Sequence, residues 1–148
     1  MNRTFSKGTP SIVYSFARTF VIVFVLPLLF FSAVFAEDSS PDTVVKKWTK
    51  LYGQKTTAAA LLTTDRFRSG ESVNTWGEKT EVRLKSFGYQ HLGGKIISSQ
   101  TSGDAATVIL RALIASSDEV RWKQETYTLL YVDRQWLIDK IEVTDEPH

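Results

Sequence analysis

The chain contains no cysteine. Disulfides, thiolate metal sites and a lipid anchor on cysteine are therefore excluded, and any fold must hold by packing alone. Histidine is almost as scarce, with His91 and the terminal His148 as the two present. Metal centres draw on three or four convergent ligands, so a lone His in a strand reads as a surface or capping residue, and no metal or cofactor is expected. No Gly-rich phosphate loop exists either. The stretch "HLGGKI" has neither the spacing nor a helix after it. No serine sits in a nucleophile elbow.

An excess of one charge is also missing once the N-terminus is set aside. Of 18 Lys+Arg and 16 Asp+Glu in the chain, Arg3, Lys7 and Arg18 precede residue 37 and no acid does. From Glu37 onward 15 bases face 16 acids, a formal charge of −1. The basic balance of the whole chain belongs to the leader and is no argument for nucleic-acid binding. Arg121 and Lys123 flank Trp122 in a way that superficially suggests a stacking platform. On a strand, however, the two bases share one face and the Trp takes the other.

What is present at the start is a targeting segment. After the basic residues, "FVIVFVLPLLFFSAVFA" (residues 20–36) runs seventeen residues without a charge. Val34 and Ala36 occupy the small-residue positions before a cut, the pattern of a secretory signal peptide cleaved after Ala36. The alternative is an uncleaved anchor, but a spanning helix wants about 20 apolar residues, and Pro27 interrupts this shorter run. Residues 1–36 are thus read as signal peptide or anchor, and residues 37–148 as one domain. Its expected location is periplasmic or secreted, or membrane-anchored with the domain outside the cytoplasm. Membrane contact is expected only through that N-terminal segment.

The domain reads as helices followed by strands. In "SSPDTVVKKWTKLYG", Ser40 is an N-cap, Pro41 suits the first helical position and Asp42 the positive end of the dipole. Val44, Val45, Trp48, Leu51 and Tyr52 share one face. "TTAAALLTTDRF" gives a second, shorter helix. "TWGEKTEVRLKSFG" gives a third, with Thr75 and Glu78 at capping-box spacing and Trp76, Thr80, Leu84 and Phe87 as the inner stripe. From Tyr89 the period becomes two. Four strands follow: "YQHLGGKIISSQ" with a bulge at Gly93-Gly94, "DAATVILRALIA", "EVRWKQETYTLLYV" and "QWLIDKIEV". Short turns imply antiparallel neighbours. The expected class is α+β, three N-terminal helices packed on a curved four-stranded antiparallel sheet.

This order of elements, with strands closing in "WLIDKIEV", resembles the nuclear transport factor 2-like superfamily. These small cone-shaped domains include ketosteroid isomerase, scytalone dehydratase and many exported bacterial domains. The resemblance spans about residues 41–143, and its most telling piece is "GDAATVIL" followed later by "WLI". It also extends to domains related to plastid-division proteins. It implies a cavity between helices and sheet, where the superfamily's enzymes set an acid or His near a Tyr or second acid. No such motif is matched in the sequence, so no catalytic residue transfers, and in this fold architecture does not fix function.

Asp139 is the one residue the sequence marks for chemistry. It interrupts an apolar strand, and a two-residue turn at Asp133-Arg134 places Thr128 opposite it and Thr126 opposite Ile141. A buried carboxylate there would have a raised pKa and act as general base, with Tyr127, Tyr131 or Tyr52 as hydrogen-bond donor. On an outward face it is simply solvated. Tyr127 and Tyr131 have the opposite parity, so only a bulge would bring them together with it. Trp48, Tyr52, Trp76 and Phe87 are read as core residues or, alternatively, as the lining of a ligand pocket between helices and sheet. Leu130, Leu137 and Ile141 make the Asp139 face apolar as well, which suggests a homodimer through the sheet.

The resulting expectation is an exported non-catalytic domain that binds a protein partner or a small apolar ligand. The alternative is a small isomerase, dehydratase or hydrolase using Asp139. Purified protein from an exporting host is expected to begin at Glu37 by N-terminal sequencing; an intact leader would instead support the anchor.

Overall fold

The computed structural model describes residues 39–146. The signal-peptide or anchor reading of residues 1–36 lies outside the described residues. Helix α1, Pro41–Leu51, begins where Ser40 Oγ accepts the Thr43 N–H at 3.3 Å, with Pro41 and Asp42 in its first turn. Val44, Val45 and Trp48 form its buried stripe. Helix α2, Thr56–Ala60, is a single buried turn and a half in which Thr56, Ala59 and Ala60 have no exposed surface.

Helix α3, Val73–Ser86, starts earlier than the capping-box spacing of Thr75 and Glu78 suggests. Ser72 is the N-cap, and its Oγ accepts the N–H of Thr75 at 3.2 Å. Gly77 then falls inside the helix, on the side facing α2. A Cβ there would come within 2.6 Å of the Thr57 Cα, so the glycine lets two helix backbones touch and is more than a small cost in helix propensity. The helix ends as a Schellman motif: Gly88 at φ +61° donates to Lys85 O, and Tyr89 donates to Leu84 O at 3.0 Å. Phe87 is the C-cap residue and is 63% exposed. Its place in the inner stripe is therefore corrected, because the helical twist that would carry it inward stops one residue before it.

The sheet is an antiparallel meander in the order β1-β2-β3-β4, with β1 Gln90–Ser102, β2 Ala105–Ala115, β3 Val120–Val132 and β4 Gln135–Asp145. This is the α+β class with four antiparallel strands that the change of period implied. Along β2, Ala106, Val108, Leu110 and Ala112 alternate inward. With Tyr127 and Leu129 of β3 and Ile138 of β4 they meet the α1 stripe to form the core. Register shifts in β1, between His91 and Gly93 and between Ile96 and Ser98, bend that strand.

The last hairpin turns at Asp133 and Arg134, with φ of 50° and 66°, the left-handed pair a two-residue turn requires. Its register does not continue as the turn alone dictates. Leu129 pairs with Ile138, but Thr128 pairs with Lys140 and Thr126 with Glu142. Asp139 is the extra residue of a β-bulge. Past it the faces exchange: Ile141 turns inward opposite Tyr127, and the outward neighbours become Lys140, Glu142 and Thr144. The premise for sheet-to-sheet dimerisation, an apolar outer face that includes Ile141, fails along this half of the hairpin.

The α2–α3 interface yields a test. Gly77→Ala gains about 1 kcal/mol of helix propensity but drives a methyl into backbone that cannot rotate away, which costs about 1–3 kcal/mol. A lowered urea midpoint with unchanged slope is expected; a raised midpoint would mean the helices do not approach as described.

Candidate functional site

On β3, residues 123, 125, 127 and 129 point to the helix side, so a strand whose inner face begins with Tyr127 and Leu129 continues into Glu125 and Lys123. Glu125 lies between Leu110 of β2 and Val143 of β4 and is only 4% exposed. The Tyr127 hydroxyl donates to its Oε2 at 2.5 Å. His91 reaches in from β1, its Nε2 3.6 Å from the same oxygen and its side chain 7% exposed. That Nε2 is buried without a hydrogen-bond partner. The surface or capping role expected for His91 is thus corrected. The bend in β1 turns its imidazole inward.

The carboxylate opens into a cavity of about 400 Å³. Its walls are the rings of Trp48, Tyr52, Phe67 and Tyr89 and the aliphatic side chains of Ile114, Ile141 and Val143, with Glu125, Tyr127 and Lys123 as its polar groups. The rings brace one another. Trp48 stacks on Tyr52 at 4.5 Å and meets Phe67 edge-on at 5.6 Å, while Tyr52 and Tyr89 form a T-shaped pair at 5.5 Å. A neighbouring depression of about 550 Å³ shares the Tyr52 and Tyr89 walls and includes His91. It is otherwise bordered by Gly53, Gln54, Lys85, Gly88, Gln90 and Leu92, and is the more polar of the two.

Burial dominates the titration of the tyrosines. It raises Tyr127, and the negative charge of Glu125 and the hydrogen bond to it raise it further. Tyr89 is raised by burial and then by Glu125. Tyr52 is raised by burial and Glu125, with Arg83 opposing. All three therefore stay neutral at physiological pH.

The residues marked from the sequence separate. Trp48 and Tyr52 line the cavity. Trp76 stands behind them, 6.3 Å from Trp48 and 5.5 Å from Phe67. Phe87 is out in solvent. Asp139 is 5% exposed, not solvated, but it does not face the cavity. The bulge turns its carboxylate toward the loop after α2, where Thr64 Oγ1 donates at 2.8 Å and Arg66 Nε at 3.1 Å. The Arg66 guanidinium also pairs with the second carboxylate oxygen. Its described contacts run to Thr64 and Arg66, and it is not among the residues that line the Glu125 cavity. Tyr131 packs on Trp136 and is 37% exposed.

Glu125 was the residue to find. Its signal was present in the sequence: an acid two places before Tyr127, on the parity that carries the core.

No family model and no curated protein matches the chain. Solved structures do. A SEC-C motif-containing protein from Rhodopseudomonas palustris aligns with a TM-score of 0.58 at 14% identity, over 73% of this chain and 81% of that one. A domain of unknown function with a cystatin-like fold from Nostoc punctiforme aligns at 0.59 and 11% identity, over 78% and 80%. The NTF2-like potential transfer protein TraM from a Gram-positive conjugative plasmid aligns at 0.52 and 10% identity, over 72% and 94%. The chain thus has the cystatin-like, nuclear transport factor 2-like fold that its order of elements resembles.

The buried tyrosines give a pH test with a definite sign. Their folded pKa values lie above the unfolded value of 10.0, so the stability they contribute is complete below pH 10 and is lost as pH rises toward the folded values. Base titration is expected to show these tyrosinates appearing in one cooperative step together with loss of near-UV circular dichroism. Independent ionisation of every tyrosine near pH 10, with the fold intact, would contradict the burial described.

Proposed function

We propose that the domain is an exported ligand-binding module whose cavity takes a small molecule with a flat apolar body and one polar end. The observation that carries this reading is the Glu125 carboxylate, withdrawn from water at the edge of an aromatic-walled cavity. Burying a carboxylate costs several kcal/mol on the order-of-magnitude scale of such groups. Its hydrogen bond from Tyr127 offsets part of that cost, and His91 Nε2 nearby makes no hydrogen bond at all. Groups kept at such expense mark functional sites more often than structural ones. The ring walls supply the apolar contact, and about 400 Å³ is within the size range of pockets that take small ligands. Export rests on the leader pattern of residues 20–36.

Proton transfer is the second reading, favoured by the pairing of Glu125 with a Tyr hydroxyl in the cone interior. It replaces Asp139 with Glu125 as the base.

A site maintained at the expense of stability has a measurable signature. Glu125→Gln keeps an acceptor for the Tyr127 hydroxyl and removes the buried charge. Its melting temperature is expected to rise by about 4 °C or more, the shift that roughly 1 kcal/mol produces in a domain of this size. A fall of similar size would identify the carboxylate as part of the framework and overturn the reading.

A further inference from the structure

Resting on the binding role of this cavity, we infer that its ligand is an arylalkyl ammonium, a small organic cation with one aromatic ring. The inference comes from the sum of charges and faces around the site. Glu125 contributes a negative charge whose described contacts, from Tyr127 and His91, both fall on Oε2. Oε1 is left for a ligand. Lys123 is the cation of the lining, and it is ion-paired with Asp145. The tyrosine hydroxyls bring no charge.

The walls point the same way. Trp48, Tyr52, Phe67 and Tyr89 surround the opening, and ring faces carry negative electrostatic potential that attracts cations, the more so once desolvated. An anion in this cavity would meet both the carboxylate and those faces. A neutral apolar molecule would seal Glu125 from water and leave its charge without compensation. A cation alone improves every one of these contacts.

His91 narrows the class further. Its imidazole is nine-tenths buried and Nε2 has no partner, while the nearest charged oxygen is the Glu125 Oε2 at 3.6 Å. A primary ammonium bound at Glu125 has N–H groups to spare for a second acceptor beside the carboxylate, and the unpartnered Nε2 stands there; a quaternary one has none. The aromatic end of the ligand would then lie against Trp48 and Phe67, where the T-shaped packing already present shows that ring edges and faces are accommodated.

The test compares three phenylalkyl probes of similar size on the purified protein, by calorimetry and by NMR shifts of the Trp48 and Tyr127 signals. They are 2-phenylethylammonium, the neutral 2-phenylethanol and the anionic 3-phenylpropanoate. The ammonium is expected to bind at least tenfold more tightly than the alcohol, and the anion not measurably. In Glu125→Gln the ammonium is expected to lose that preference over the alcohol. Because the comparison stands within the parent protein, it does not depend on the variant folding. Equal binding of alcohol and ammonium would overturn the cation while leaving a binding cavity in place. Shifts at neither Trp48 nor Tyr127 with any probe would overturn both.

Discussion

Every layer of this domain meets at Trp48. It is the aromatic residue of the buried α1 stripe, its ring stacks on Tyr52, it meets Phe67 of the segment after α2 edge-on, and it lies against Trp76 of α3. Aromatic pairs of this kind contribute about 0.5–1.5 kcal/mol each beyond the area they bury. In a chain without cysteine, no covalent link substitutes for them. The same ring forms a wall of the cavity. What holds helices to sheet is therefore also what shapes the site, and the two cannot be varied independently.

A second connection works at the free edge of β4. The segment after α2 pairs with it: Ile138 donates to Leu62 O at 2.8 Å, and Thr64 donates to Ile138 O at 2.9 Å. Arg68 is buried there and gives hydrogen bonds to Ala60 O, Thr63 O and Thr63 Oγ1 at 3.1, 2.6 and 2.8 Å. The first of these is the last carbonyl of α2, one of those a helix end leaves without an intrahelical partner. Beside it Asp139 binds Thr64 and Arg66. Arg66 is exposed and Asp139 buried, so the pair adds little net stability, but a slipped strand would leave the buried carboxylate unpaired at a heavy penalty. Asp139 is thus best understood as the residue that fixes where the bulge sits.

This explains which parts could be read from the chain. The α1 cap and stripe, the change of period at Tyr89 and the turn at Asp133-Arg134 are set by residues within a few positions of one another, so local rules find them. The bulge at Asp139 is not local. It is decided by Thr64 and Arg66, more than seventy positions away, and no strand pattern contains them. One missed residue inverted the faces of half a hairpin, and with them the expected roles of Asp139 and Ile141. The start of α3 at Ser72 went unread because Thr75 also matched a capping pattern. The inward turn of His91 depends on irregularities of β1, although the paired glycines marked that strand as bent. Glu125 needed only its parity with Tyr127, and was obscured by a more conspicuous acid.

The unbroken order β1-β2-β3-β4 bears on how the molecule reaches its native state. Each ladder joins segments adjacent along the polypeptide, so the loops closed during pairing are short and their entropic penalty is small. Topologies built from such nearby pairings acquire their structure faster than those with distant crossovers. The long-separation contacts, Ile138 with the Leu62–Thr64 segment above all, close the longer loops and carry the larger entropic penalty. A chain synthesised from its amino end has its helical portion waiting, uncovered, until the final hairpin arrives.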